Sequence, residues 1–95
     1  MEAVVSRAAY RIVQEALTNA GKHAPGAAVT VDVVRHPGRL VVRVVNGPPT
    51  APAFRRTGGG FGLVGLHERV RTLDGSLRTE ERLDGGYLVE AVLPA

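Results

Sequence analysis

Ninety-five residues suffice for one small domain built on one core, and not for two. Hydrophobic residues make up 44%, which excludes a disordered chain. The absence of cysteine excludes disulfides and thiolate metal sites. No apolar run reaches the roughly 18 residues of a membrane helix. The start, Met1-Glu2-Ala3-Val4-Val5, lacks the basic flank and long apolar stretch of a signal peptide, so a soluble, cytoplasmic domain is expected. The net charge is +3, and 11 of the 12 basic residues are arginine. These arginines are scattered and aromatics make up only 4%, so there is no stacking platform and nucleic acid is not an expected partner.

The first predicted element is a helix over 6–23, where Ile12, Val13, Ala16, Leu17 and Ala20 form one apolar stripe. Ala24-Pro25-Gly26 ends it, since proline cannot continue a helix and glycine permits the turn. Val29, Val31 and Val33 then alternate with Thr30, Asp32 and Val34 as a strand. His36-Pro37-Gly38 turns the chain into a second strand, with Leu40, Val42 and Val44 alternating with Val41, Arg43 and Val45, and the two form a hairpin. From Asn46 to Gly60, prolines and glycines break regular structure and predict a long loop. A second helix follows over 62–73, carried by Leu63, Leu66, Val70 and Leu73. A polar strand over 76–83, an Asp84-Gly85-Gly86 turn and a strand over 87–93 close the chain. Strands arrive in adjacent pairs rather than alternating with helices. That order predicts an α+β two-layer sandwich, a mostly antiparallel sheet with helices on one face.

Three constellations carry possible chemistry. On the first helix, Glu15, Asn19 and Lys22 lie within roughly 60° of one another, forming a polar stripe beside the apolar one. Asn19 can offer an amide oxygen to Mg²⁺, Lys22 can neutralise phosphate charge, and Glu15 can orient or deprotonate a reacting group. Taken alone, these residues describe an ordinary solvated face. Asn46-Gly47 ends a valine-rich strand, where a short polar side chain can read the edge of a base; taken alone it is common turn chemistry. Gly58-Gly59-Gly60-Phe61-Gly62-Leu63 leads into the second helix, and glycine N–H groups at a helix start suit phosphate. That run does not follow a strand directly, so neither the Rossmann nor the P-loop context is met.

In this order the three resemble a known family. Tyr10-Arg11-Ile12-Val13-Gln14-Glu15-Ala16-Leu17-Thr18-Asn19-Ala20, with Lys22-His23-Ala24, is similar to the N box of bacterial sensor histidine kinases. The similarity is greatest to the branch that partners helix-turn-helix response regulators. Val45-Asn46-Gly47 stands at the first glycine box. Gly60-Phe61-Gly62-Leu63-Val64-Gly65-Leu66, followed by Glu68-Arg69-Val70, resembles the second glycine box and its helix, and Gly85-Gly86 the closing hairpin. The resemblance runs from about Ala8 to Pro94, so residues 1–95 read as one ATP-binding domain.

The resemblance implies the Bergerat ATP-binding fold, shared with type II topoisomerases and mismatch-repair ATPases. It implies ATP between the first helix and a lid over 48–59, Mg²⁺ on Asn19, a catalytic part for Glu15, and Lys22 and His23 near the phosphates. Asn46 and Gly47 would meet the base, and Gly60, Gly62 and Leu63 the phosphate end. The implied partners are ATP, a helical phosphoacceptor domain of the same or a sister chain, and a response regulator; the parent protein is expected to be cytoplasmic or anchored at the cytoplasmic face of a membrane. Three departures stand out. Asn46 occupies the place of an aspartate that accepts from the adenine amino group, which implies adenine binding weaker by about 1 kcal/mol. The family's strand before the first helix and its phosphoacceptor hairpin have no counterpart here, and the sheet is expected to expose an edge. Two other readings of the same fold are an anti-sigma-factor serine kinase and a degenerate partner-binding module. His36 and His67 are expected to be surface residues, and neither has the context of a phosphoacceptor.

Overall fold

A computed structural model describes residues 3–24, 26–48 and 63–95. Its elements are α1 (Ala3–His23), β1 (Val29–His36), β2 (Arg39–Asn46), α2 (Leu63–Thr72), β3 (Ser76–Glu81) and β4 (Tyr87–Pro94). The strands form one sheet in the order β1-β2-β4-β3, and all three pairings are antiparallel. The α+β architecture expected from the order of elements is present. The predicted lid falls outside the described residues, apart from Pro48.

Helix α1 begins one turn earlier than the periodicity predicts. Val5, Ala8 and Ala9 extend the apolar stripe backwards, and all three are buried with Ile12, Ala16 and Ala20. Leu17, expected in that stripe, is 41% exposed. It lies roughly 110° around the helix from the centre of the buried arc, so it points past the sheet. Helix α2 buries Leu66 and Val70. Both helices pack on the face of the sheet that carries Leu40, Val42, Ala91 and Leu93, each 1% exposed or less. Full burial of each such leucine or valine contributes about 1.5–3 kcal/mol.

Each turn has a specific device. Pro37 and Gly38 (φ 79°) join β1 to β2 with the residue pattern of a type II turn. Helix α2 ends in a Schellman motif, in which Gly75 N–H donates to the Val70 carbonyl (2.9 Å) and Asp74 N–H to that of Arg71 (2.9 Å). Asp74 supplies the left-handed residue, at φ 58°. The predicted strand over 76–83 is shorter, because the chain turns at Arg82. There Arg82 N–H donates to Gly86 O (2.9 Å) and Gly86 N–H to the Asp84 carboxylate (2.8 Å). Leu83 stands fully exposed at the tip of this hairpin.

The opposite face of the sheet carries a row of alternating charge. Asp32 stands opposite Arg43, Arg43 opposite Glu90, and Glu90 opposite Arg78. Arg78 reaches Glu90 and Glu80 at 3.4 Å each. Such exposed pairs contribute at most about 1 kcal/mol apiece. A slip of one residue would break the row and turn the apolar residues away from the helices, so the row and the core specify the same register.

Strand β1 forms one edge of the sheet, and the helices cover β2 and β4 rather than β1. Val29, Val31 and Val33 lie on the helix side yet stay exposed, as does Val34 on the other side. The edge anticipated from the sequence is therefore present among the described strands.

Two substitutions test the turn geometry. Asp74→Gly relieves a left-handed conformation that costs an L-residue about 1 kcal/mol. Chemical denaturation is expected to show a gain of up to that amount, and a loss of stability would refute the assigned cap. At Gly86 a β-carbon would collide with the Asn46 carbonyl and stand 3.2 Å from the Gly47 carbonyl carbon. Gly86→Ala is expected to cost roughly 1–3 kcal/mol, the usual range for overpacking, and an unchanged denaturation midpoint would show that this junction yields freely.

Candidate functional site

The polar stripe of α1 borders its buried stripe, and that determines how deep each side chain sits. Asn19, nearest the buried arc, and Glu15 are half-buried, whereas Lys22 is exposed. Glu15 and Asn19, one helical turn apart, line an open groove of about 470 Å³ together with Arg11, Gln14 and Thr18. The side chain of His23 lies outside the described residues.

Glu15 has a partner that neither spacing nor motif indicates. Arg69 of α2 donates from Nε (3.0 Å) and Nη2 (2.6 Å) to Glu15 Oε1. The two side chains are 33% and 29% exposed. Their separation of 54 residues hides the pair from any local reading. The available signal was weaker: Arg69 sits three residues after Leu66 and one before Val70, at the margin of the stripe that α2 buries. The other glutamate oxygen, Oε2, lies near Gly65, where a β-carbon would stand 3.5 Å away.

Asn46 terminates β2 on the helix-facing side, opposite Val29 on one neighbour and Tyr87 on the other. It is 8% exposed, the one buried polar side chain among the described residues. Its Nδ2 donates to the Gly47 carbonyl (3.0 Å), and Gly47 N–H donates to the Ala28 carbonyl (2.9 Å). Internal use of the amide nitrogen leaves Oδ1 as the acceptor. Asn46 does not line the α1 groove, so the structure places the expected site residues in two groups: Glu15 with Asn19, and Asn46 with Gly47. Gly60 and Gly62 lie outside the described residues. Leu63 opens α2 through its backbone, and its side chain lies outside the description. His67 is exposed as expected; His36 ends β1 rather than standing in the turn, and is half-buried.

Among the described residues no group of three or more His, Cys, Asp or Glu side chains can hold a metal. The oxygen donors beside the groove are few: the Asn19 amide and the Glu15 carboxylate, the latter already engaged by Arg69. That set is too sparse to cage a cation. It suits a hard ion that keeps most of its waters and takes one protein oxygen alongside phosphate. Among the described residues no helix is long and apolar enough to cross a membrane.

Comparison with known proteins gives the family and the fold. Residues 4–95 match the family model described as histidine kinase-, DNA gyrase B-, and HSP90-like ATPase. The chain is 32% identical over 90 residues to the signal transduction histidine-protein kinase/phosphatase DegS of Brevibacillus brevis, covering 95% of the chain and 23% of that protein. It is 30% identical over 89 residues to the oxygen sensor histidine kinase NreB of Staphylococcus carnosus, covering 90% and 25%. The chain thus spans about a quarter of the length of these relatives. In fold it is similar to the catalytic domain of the histidine kinase ThkA, with a TM-score of 0.70 at 19% identity over 88% of the chain and 65% of that structure. The Acinetobacter baumannii histidine kinase AdeS gives 0.70 at 12% identity, over 93% and 46%. With a half-buried glutamate and asparagine on its first helix and a family model matching almost its whole length, the chain belongs to the histidine kinase-, DNA gyrase B- and HSP90-like ATPases, as a histidine kinase ATPase domain.

Proposed function

We propose that residues 1–95 form the catalytic domain of a two-component sensor histidine kinase, which binds Mg-ATP and passes the γ-phosphoryl group to a histidine on a separate helical domain. The observation that carries this reading is the placement of Glu15 and Asn19 one turn apart, half-buried, in the same groove of a domain of this family.

In the proposed reaction the bond from the γ-phosphorus to its bridging oxygen breaks, and ADP leaves with the electron pair. A nitrogen of the acceptor imidazole forms the new P–N bond. Glu15 orients the acceptor and takes up the proton that the imidazole releases. Asn19 would hold Mg²⁺ through its amide oxygen, and the ion would supply positive charge against that of the phosphates. Lys22, exposed on a flexible stem, reaches the phosphates as a point charge, with His23 beside it. Gly60, Gly62 and Leu63 are assigned to the phosphate end. Asn46 accepts from the adenine amino group through Oδ1, with Gly47 beside it. The internal Nδ2 bond supports that orientation, and with it a working base pocket rather than a degenerate one. The response regulator and the phosphoacceptor domain are the proposed protein partners.

Calorimetric titration with a non-hydrolysable ATP analogue tests the site. Saturable binding is expected that strengthens with Mg²⁺, and Asn19→Ala should abolish the Mg²⁺ dependence. An Asn19→Ala variant with unchanged affinity at every Mg²⁺ concentration would remove the metal from Asn19. No binding by a folded sample would end the kinase reading in favour of partner binding. Acid-labile rather than acid-stable phosphoprotein on an acceptor separates histidine from serine transfer.

Asn46→Asp restores a charged acceptor. Its affinity for the same analogue is expected to rise roughly fivefold, about 1 kcal/mol. A fall in affinity would show that Nδ2, and not Oδ1, meets the base.

A further inference from the structure

We infer that Arg69 is a positioning residue for Glu15, fixing the carboxylate by one oxygen from across the helix interface and leaving the other for the reaction. The inference rests on the reading in which Glu15 acts in phosphoryl transfer.

Both Arg69 donors converge on Oε1, at 3.0 and 2.6 Å, rather than dividing between the two oxygens. A guanidinium that serves only as a counter-ion more commonly spans a carboxylate in a fork. Here the paired donors tie down one oxygen, and the rotation of the carboxylate with it. Oε2 is then turned toward Gly65. That residue has no side chain, so Gly65 itself leaves the space beside Oε2 unfilled. The arrangement separates a held oxygen from a presented one.

A second cation was available and is not used. Arg11 stands one turn before Glu15 on the same helix and lines the same groove. An arginine four residues ahead of a glutamate is within reach, although in the less favourable order along the helix. The ion pair nevertheless comes from α2, which is anchored by Leu66 and Val70 in the core. A side chain reaching across from a second helix pinned by buried residues holds the carboxylate against both helices at once. With both partners about one-third exposed, the pair contributes little to stability. Its consequence is geometric: small displacements of a reacting group cost far more in rate than in folding.

The test is the rate at which the 95-residue chain passes ³²P from [γ-³²P]ATP to a saturating histidine-bearing helical acceptor domain supplied separately, with melting temperature measured on each variant. Arg69→Ala is expected to lower kcat about ten- to a hundredfold, with KM for ATP within twofold of the parent. Arg69→Lys should recover part of that loss, since it restores the charge but not the paired donors. If Arg69→Ala does not fold, the exchange variant Glu15→Arg with Arg69→Glu takes its place; it should melt normally and remain slow. Glu15→Gln separates the two levels of the argument. Turnover equal to the parent in Glu15→Gln would refute the role of Glu15, and the positioning role would fall with it. A slow Glu15→Gln beside an Arg69→Ala that keeps the parent kcat would overturn the Arg69 inference alone. A change confined to KM or to melting temperature, or full turnover in the exchange variant, would do the same.

Discussion

The seating of α1 on the two central strands is the constraint from which the site follows. Ile12 is fully buried, with Val5, Ala8, Ala9 and Ala16 around it, against a surface that includes Leu40, Val42 and Leu93. Alanine at three of those helix positions lets α1 lie close to the sheet. Once that stripe is down, helical geometry leaves no freedom for its neighbours. Asn19 falls at the margin of the buried arc, Glu15 slightly further out, and Lys22 beyond both. The graded exposure of these three residues is a product of core packing and requires no separate device. A hydrophobic contact thereby determines which polar groups stand half-dehydrated, where electrostatic interactions are stronger than in bulk water.

The described sheet is covered unevenly. Its two central strands are covered on one side by helices, while β1 shows valines on both sides and an unpaired edge among the described strands. The curated relatives are about four times as long as this chain, and the matched ThkA structure is also longer. The charged row on the opposite face shows how the sheet keeps its register where packing is one-sided. Each charge in that row is weak, but a displaced register would sacrifice all of them together with the apolar face.

What the sequence made legible divides by the range of the interaction. Helical period placed Glu15 and Asn19 together, because their relation is local to one turn. The alternation of Leu40, Val42 and Val44, carried one step further, puts Asn46 on the helix side, and there it is buried. Local rules misjudged extents. The stripe of α1 begins at Val5 rather than Ile12, because short apolar residues near the start of the chain also find the sheet. The third strand stops at Glu81, because the chain turns between Arg82 and Gly86, where the Asp84 carboxylate accepts from the Gly86 N–H. Leu17 was assigned to the core by spacing alone, but lies past the edge of the sheet. The Arg69–Glu15 pair lay beyond local reading altogether. It depends on two helices meeting across 54 residues, and an arginine in a helix ordinarily signifies only a solvated face.

The two groups of site residues rest on different supports. Glu15 and Asn19 depend on α1, and Glu15 also on Arg69 of α2. Asn46 depends on the ends of β2 and β4, where Gly86 must lack a side chain so that the hairpin can press against the Asn46 carbonyl. Among the described residues these supports meet through the shared core, so a change at one end is transmitted weakly to the other. Distant sites without common partners combine nearly additively. Position 46 and the pair Glu15 and Asn19 are therefore set by different parts of the fold, the first by the strand ends and the second by the packing of the two helices.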